Sequence, residues 1–374
     1  SSVMNGLRAD IRDRITGTLS EIKVTAPGGE PIRDFQPLVD SLRALGYQAA
    51  PVIRSELILK QGDRIFSTLC FGIDPLLHSG ISAALQSRLA STGSNLQGII
   101  AGAVSGPEFA GGGIALGSTL AAQIGARVGD EIQLLSPVFD VPTAFGMLPK
   151  VRTVRVAAVF SAGMPEYNAT FSFIPLAMAG FFQGYGSEVD YIEVKTPDAG
   201  APQRHTTRIQ SLFPAYRVED WSAYDPNLYS AIRFEKYLMF VIMLFMYVIA
   251  SFNLTGSMLK TIAQKKRELG LLKAFGYREG DLRDLFLYQS LILATLGIVL
   301  GLILATLLLL AQKHFGLLSM GMGEAGALPL PVTFAWADYL TVILAALAIT
   351  LLSVILPLRR LKAINPIELI RQTT

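Results

Sequence analysis

From Tyr237 to the C-terminus the chain is dominated by apolar runs, and this constrains its fold more than any motif does. Three runs, Tyr237–Met258, Leu285–Ala311 and Tyr339–Leu358, contain no Asp, Glu, Lys or Arg. Each spans roughly 20 residues or more, enough for a helix to cross about 30 Å of hydrocarbon. Backbone polar groups inside a bilayer have no water to bond, so these runs must be helical. From Ser1 to about Lys236 the charge density is instead that of an ordinary folded domain. The formal net charge of +3 is therefore less informative than where the charges lie.

Orientation follows from the loops. Lys260, Lys265, Lys266, Arg267, Lys273, Arg278 and Arg283 lie between the first and second spans, and Arg359, Arg360, Lys362 and Arg371 follow the third. Between the second and third spans Lys313 is the only Lys or Arg. Basic loops stay inside, which places residues 260–284 and the C-terminal segment 359–374 in the cytoplasm. Residues 16–236 then lie outside, with Trp336 and Tyr339 at the level of an outer aromatic belt. An outside domain needs an export signal or a preceding span. The polar amphipathic stretch at Asn5–Ile15 supplies neither, so a first membrane helix is expected before Ser1, with a cleaved leader as the alternative.

Within the spans, Gly297, Gly301 and Ala305 recur at four-residue spacing. This either lets another helix approach closely or is a chance pattern in a glycine-tolerant membrane helix. Asn253 is expected to hydrogen-bond between helices, a place along a pathway being the alternative. Pro357 either kinks the end of the third span or marks its exit.

The outside region alternates short strands and helices. Strands are expected at Glu21–Thr25, Glu56–Lys60, Arg64–Ile73, Ile132–Leu135, Val151–Phe160 and Val189–Val194. Helices are expected at Asp34–Leu45, where Phe35, Leu38, Leu42 and Leu45 share a face, and at Ile81–Leu89, Gly117–Gly125 and Gln203–Leu212. Gln61-Gly62-Asp63 joins two strands as a hairpin. The pattern is an α+β unit with a second one inserted at about 74–186.

Several chemistries are excluded or disfavoured. Cys70 is the only cysteine, so no intrachain disulfide or cysteine-based metal site exists, and its alternating surroundings place it in a buried strand. His78, His205 and His314 are scattered without metal-ligand spacing. No G-x-x-x-x-G-K-[ST] phosphate loop is present, so any ATP used is bound by another chain. Gly111-Gly-Gly-Ile-Ala-Leu-Gly reads as a glycine turn leading into a helix rather than as a nucleotide loop. Asp74, Asp130, Glu166 and Asp190 form no nucleophile–base–orienter grouping and read as turn and surface residues.

Two segments invite partners. Ser136–Lys150 carries three prolines with Phe139, Phe145, Met147 and Leu148, too many apolar side chains for a simple turn. It is expected to be a long loop that either captures a partner or folds back on its own domain. Lys260–Asp284 is basic with an apolar face to which Leu269, Leu272 and Phe275 contribute.

These residues resemble a known family. Ser2-Val-Met-Asn-Gly resembles the exit of the first membrane helix in the lipoprotein-releasing permeases LolC and LolE. Gly113-Ile-Ala-Leu-Gly, Leu120-Ala and Val128-Gly-Asp are similar to that family's outside domain. Ser161-Ala-Gly-Met-Pro-Glu-Tyr is similar to its S-G-x-x-E-Y turn. Lys266–Gly276 resembles the coupling segment of the wider FtsX/MacB-type permeases. Pro357-Leu-Arg-Arg-Leu-Lys-Ala-Ile-Asn-Pro-Ile-Glu-Leu-Ile-Arg is similar to their C-terminal signature, with Leu358 and Leu361 where alanines are usual.

The resemblance implies a type VII ABC permease: an α+β extracytoplasmic domain of porter-like and inserted sabre-like parts, then an all-α transmembrane region at 237–374. Residues 1–15 would continue from the missing first membrane helix. The chain would sit in a bacterial inner membrane with its large domain in the periplasm. It would extract acylated lipoproteins from the outer leaflet and hand them to a LolA-like periplasmic carrier. Its other partners would be LolD-like ATPase subunits binding ATP and Mg, a second LolC/LolE-like permease or a second copy of itself, and membrane lipids. No nucleic acid and no cofactor of its own are implied, and the chain would not be an enzyme.

The site residues follow from this reading. The carrier-binding hook would hold Pro142, Phe145, Gly146, Met147 and Pro149. The ATPase-coupling segment would hold Lys265, Lys266, Arg267, Glu268, Leu269, Leu272, Lys273, Phe275 and Gly276. An acyl-chain cavity would be lined by Met4, Met239, Phe240, Met243 and Met246, whose flexible side chains suit varied lipid chains. The alternative is a MacB- or FtsX-like mechanotransmission permease that drives efflux or a cell-wall hydrolase.

Overall fold

The computed structural model describes residues 2–86, 90–92, 95–143, 146–197, 202–223, 226–315, 319–321, 327–329 and 336–361. Elements run in the order α1 (Ser2–Thr18), β1 (Ile22–Thr25), α2 (Gln36–Ala44), β2 (Gln48–Gln61), β3 (Arg64–Ile73) and α3 (Pro75–His78). Then come β4 (Ala90–Thr92), β5 (Asn95–Gly102), α4 (Pro107–Ala110), β6 (Ile114–Gly117), α5 (Ser118–Ile124), β7 (Glu131–Thr143) and β8 (Gly146–Ser161). These are followed by α6 (Pro165–Thr170), β9 (Phe171–Pro175), α7 (Leu176–Gln183), β10 (Tyr191–Lys195), α8 (Pro202–Leu212) and β11 (Arg217–Asp220). The chain continues with α9 (Pro226–Gln264), α10 (Lys266–Ala274), α11 (Glu279–Phe315), β12 (Ser319–Gly321), β13 (Ala327–Pro329) and α12 (Trp336–Leu361).

The elements group into two compact units: Arg8–Tyr229 with Met320–Leu328, and Ser1–Leu7 with Ser230–Ser319 and Pro329–Thr374. The first is built on one sheet in the order β11-β1-β10-β2-β3-β9-β6-β8-β5-β4. β7 pairs with both β2 and β8, so the strands β2-β3-β9-β6-β8-β7 close into a ring. The block expected to be inserted at about 74–186 shares this sheet. The parallel pairing of β3 with β9, from Leu69↔Phe171 to Ile73↔Pro175, ties it into the same sheet.

Local sequence explains most elements. In α2, Leu38, Val39 and Leu42 are buried at helical spacing, and the hairpin β2–β3 turns at Gly62, whose φ of 59° suits glycine. One buried cluster joins Leu57, Leu59, Ile114, Leu116, Ile132, Leu134, Val154 and Val156 across the ring. A second packs Ile15 of α1 and Leu19 just after it with Phe71, Phe160, Phe171 and Phe173.

Some expectations are corrected. Ile81–Leu89 is not a helix: it forms only a short 3-10 turn at Ala83–Leu85, and residues 87–89 lie outside the described residues. Ile81, Ala84 and Leu85 are buried by tertiary packing, which counterfeits a helical pattern. The glycine run at Gly111 enters the strand β6 before the helix α5 begins.

In the second unit α9 and α11 contain stretches long and apolar enough to cross a membrane, Tyr237–Gln264 and Gly280–Gln312, and α12 carries a shorter apolar run at Tyr339–Val354. α12 continues through Pro357 to Leu361, so this proline does not end the helix. Met258, Ile262, Leu269, Leu282, Phe286 and Val354 form a small buried core at one end of these helices. Above it, hydroxyls tie α9 to α12: Ser251 Oγ and Ser353 Oγ lie 2.5 Å apart, and Thr255 Oγ1 donates to Ser353 O at 3.1 Å. The expected interhelical bond of Asn253 is not among these, since its side chain is exposed. Gly297 and Gly301 face open space rather than a neighbouring helix of this chain.

Candidate functional site

Three regions hold the residues singled out by sequence. The first is the ribbon formed by β7 and β8. Their pairing is regular from Glu131↔Arg155 to Leu135↔Val151, shifts before Phe139↔Pro149, and shifts again before Val141↔Leu148, Pro142↔Met147 and Thr143↔Gly146. The segment expected to be a loop is therefore a two-stranded ribbon. Pro137, Pro142 and Pro149 are tolerated because each distal strand has an outer edge where no backbone donor is needed. The register shifts are bulges, which bend a ribbon and let side chains change face.

Along this ribbon Val138, Phe139, Met147 and Leu148 are 61%, 62%, 58% and 53% exposed. Apolar side chains at this exposure gain nothing from the chain's own core. Pro142 and Gly146 are exposed as well, Pro149 is half-buried, and Phe145 lies outside the described residues. At the root, Lys150 Nζ donates to Phe182 O at 3.1 Å and the Arg152 guanidinium stands 4.3 Å from the Phe181 ring centre. A cleft of about 440 Å³ opens beside them, lined in part by Arg54, Ser136, Val138 and Gln183.

The second region is α10 with its flanks. Lys265 leaves helical geometry and separates α9 from α10. Its Nζ pairs with Glu268 Oε1 at 2.7 Å, both side chains being exposed. α10 ends where Gly276 takes a φ of 93°, and Tyr277 N donates back to Leu272 O at 3.1 Å. This is the closure that glycine after a helix permits. Arg278 N donates to Asp281 Oδ2 at 2.8 Å and starts α11.

The three apolar residues expected to form one contact face are split by this geometry. Leu269 is only 4% exposed and belongs to the core with Met258 and Phe286, and Leu272 packs partly against it. Phe275 is 83% exposed. The outward apolar residues are Leu271, Phe275 and Tyr277, and Arg267, Leu271 and Phe275 follow one another at four-residue spacing. Leu271 and Tyr277 were missed because a short helix with leucines at 269, 271 and 272 does not reveal which of them faces inward. Lys266, Arg267 and Glu268 are exposed beside this face, and Lys273 is half-buried.

The third region is the part of α9 before the hydroxyl ties. Met239, Phe240, Met243 and Met246 are 49%, 59%, 42% and 64% exposed. They do not converge on an enclosed cavity within one chain. Met239, Met243 and Met246 share one helix face. The side chain of Met4 lies outside the described residues.

The carboxylates have structural partners. Asp74 Oδ1 accepts from Leu76 N at 2.9 Å, Asp130 Oδ2 from Arg127 N at 2.8 Å, and Asp190 Oδ2 from Arg54 N at 2.6 Å. Tyr185 donates to Asp190 Oδ1 at 2.8 Å, and burial together with this bond pushes its hydroxyl up to about 12. Glu166 sits in the first turn of α6. His78 and Glu193, both buried, place Nε2 and Oε2 3.5 Å apart, a pair that sequence separation conceals. His205 meets the Tyr47 hydroxyl at 3.1 Å through Nδ1. Burial pushes the Cys70 thiol up to about 12, despite a bond from Ser172 that acts the other way, so it stays protonated and inert. Among the described residues no group of three or more His, Cys, Asp or Glu could hold a metal ion.

Residues 240–366 match the FtsX-like permease C-terminal family. The lipoprotein-releasing system transmembrane protein LolC of Xylella fastidiosa is 26% identical over 390 residues, covering 99% of this chain and 89% of its own length. LolC of Haemophilus influenzae is 23% identical over 378 residues, with 99% and 88% covered. LolE of the same organism is 23% identical over 273 residues, with 69% and 64% covered. Among solved structures, the periplasmic region of MacB from Actinobacillus actinomycetemcomitans aligns at TM-score 0.34 and 17% identity, covering 58% of this chain and 95% of that one.

Proposed function

We infer the function from one premise: the chain belongs to the LolC/LolE family of permeases. It is the membrane subunit of a lipoprotein-releasing system, and its part is to move acylated lipoproteins out of the bacterial inner membrane rather than to catalyse a reaction. The observation that carries this is a likeness to LolC that runs through 99% of the chain, outside domain and membrane helices alike.

The work is assigned as follows. ATPase subunits bind ATP and Mg and close against α10, where Leu271, Phe275 and Tyr277 supply the apolar contact and Lys266 and Arg267 the electrostatic fit. The push travels along α9, a 39-residue helix that extends well beyond the apolar stretch at its Pro226 end. Met239, Met243 and Met246 face acyl chains in a cavity completed by a second permease or a second copy. Extracting an acyl chain from lipid costs about 0.8 kcal/mol per CH₂, so release of a multiply acylated protein needs both that cavity and an energy source. The ribbon tip then engages a soluble LolA-like carrier through Phe139, Met147 and Leu148, with Lys150 and Arg152 suited to an acidic surface at its root.

The test is gentle purification of the full-length protein from native membranes, with mass spectrometry of what stays bound. An ATPase with triacylated lipoproteins or a soluble lipoprotein carrier is expected. An ATPase with an efflux duct or a wall hydrolase, and no lipoprotein, would replace this reading with mechanotransmission of the MacB or FtsX kind.

A further inference from the structure

The end of α1 is held in a buried polar socket that neither the carrier nor the ATPase needs to touch. Arg14 is 6% exposed; its Nε bonds Asp10 Oδ2 at 2.5 Å and its Nη1 donates to Gly163 O at 3.1 Å. Gly163 N donates in turn to Thr18 Oγ1 at 3.3 Å, and Ser82 Oγ donates to Thr18 O at 2.7 Å. One helix therefore engages both the carbonyl and the amide of a single glycine 149 residues away from Arg14.

That glycine has no room for a side chain. A Cβ on Gly163 would fall 2.1 Å from Gln97 Nε2 and 3.0 Å from the Arg14 backbone, and a Cβ on Gly17 would fall 2.2 Å from Gln97 Oε1. The turn is itself fixed, since Asn168 Oδ1 accepts from Ala162 N at 2.6 Å and Tyr167 stacks on Phe171 at 4.2 Å. Two glycines and a buried glutamine thus let α1 lie directly against the turn after β8.

The position of this turn gives the contact its consequence. β8 runs 16 residues from Gly146 to Ser161. Its first residues are the ribbon tip, and its last residue enters the turn that α1 grips. At a strand rise of ~3.3 Å per residue about 50 Å of strand joins the two ends. The first residues of α1, 2–7, fall in the unit that holds α9, α11 and α12.

We propose that Arg14 and Thr18 are positioning residues: they clamp α1 to Gly163 so that β8 carries displacement of α1 to the ribbon tip. The tip's orientation is then set by the state of the membrane helices, and the carrier is presented or released in step with ATP. This rests on the reading of the ribbon tip as the carrier-binding end, but its test does not use the carrier.

The experiment measures a distance in the assembled complex in lipid nanodiscs, with and without ATP trapping by vanadate. Spin labels are placed through Leu148→Cys at the tip and Leu212→Cys at the end of α8, both exposed positions. The unmodified complex is expected to change its 148–212 distance on trapping. Arg14→Gln is expected to remove at least half of that change while ATP hydrolysis by the complex is retained. Thr18→Val, which keeps the shape and deletes the acceptor for the Gly163 amide together with the hydroxyl's own bond to Arg14 O, is expected to reduce it in the same direction and covers failure of Arg14→Gln to assemble. Gly163→Ala should likewise lose the change, and Gly163→Ala with Gln97→Ala should regain part of it by clearing the closest clash. An unaltered change in assembled Arg14→Gln or Thr18→Val complexes would overturn the proposal, as would no change in the unmodified complex. Failure of the lipoprotein reading would show separately, as absence of carrier and lipoprotein from the purified complex.

Discussion

Leu269 and Phe275 lie six positions apart on one short segment, and their replacement should separate folding from partner binding. Leu269 is 4% exposed within a small core, so Leu269→Ala removes buried methyl groups and leaves a cavity, at a cost of about 2–5 kcal/mol. The melting temperature of the permease should fall. Phe275 is 83% exposed, so Phe275→Ala should change the fold by no more than about 0.5 kcal/mol. If that ring fills a pocket on the ATPase, it buries most of roughly 200 Å², worth about 2–4 kcal/mol after discounting for imperfect fit. At 1.4 kcal/mol per tenfold, binding of the ATPase should weaken by at least about 25-fold. The assay is titration of purified ATPase subunit onto permease in nanodiscs, with thermal unfolding of each variant measured alongside. The reasoning fails if Phe275→Ala leaves the ATPase affinity within twofold of the unmodified protein. It also fails if Leu269→Ala weakens the ATPase without lowering the melting temperature.

Phe139→Asp with Met147→Asp should abolish capture of a LolA-like carrier in a pull-down while the ATPase stays bound, because both side chains point outward and the fold does not depend on them. Cys70 should resist thiol reagents at pH 8 in the native protein and react only on unfolding, as mass spectrometry would register. Burial pushes its thiol up to about 12 from an ordinary value of 9.0 in the unfolded chain, so its contribution to stability is complete below pH 9 and declines as pH rises from 9 toward 12. A denaturant midpoint of the α+β domain that rises across that interval in the wild type relative to Cys70→Ser would contradict the burial. Ser353→Ala should cost about 1 kcal/mol of helix–helix stability by removing its bond to Ser251, detectable as a small fall in the melting temperature in detergent.

The membrane helices were legible because their signal is local: a run of uncharged residues has one stable conformation in lipid, whatever surrounds it. Much of the α+β domain was legible for a similar reason. The alternation at Arg64–Ile73 marks β3, and the apolar face of Leu38 and Leu42 marks α2. Local pattern could not separate the inward from the outward leucines of α10. The inward position of Leu269 depends on where α9, α11 and α12 place Met258, Phe286 and Val354. Nor did it show that Ser136–Lys150 is a ribbon, because its prolines argue against a strand unless the outer edge is known to be unpaired. The joining of β3 to β9, the pairing of His78 with Glu193 and the grip of Arg14 on Gly163 bring together residues far apart in the chain. No periodicity encodes such contacts. Sequence alone determined that this chain pairs an α+β domain with helices long and apolar enough to cross a membrane; the tertiary structure decided which faces remain free to meet a partner, because burial is a property of the assembled neighbours and not of the residue.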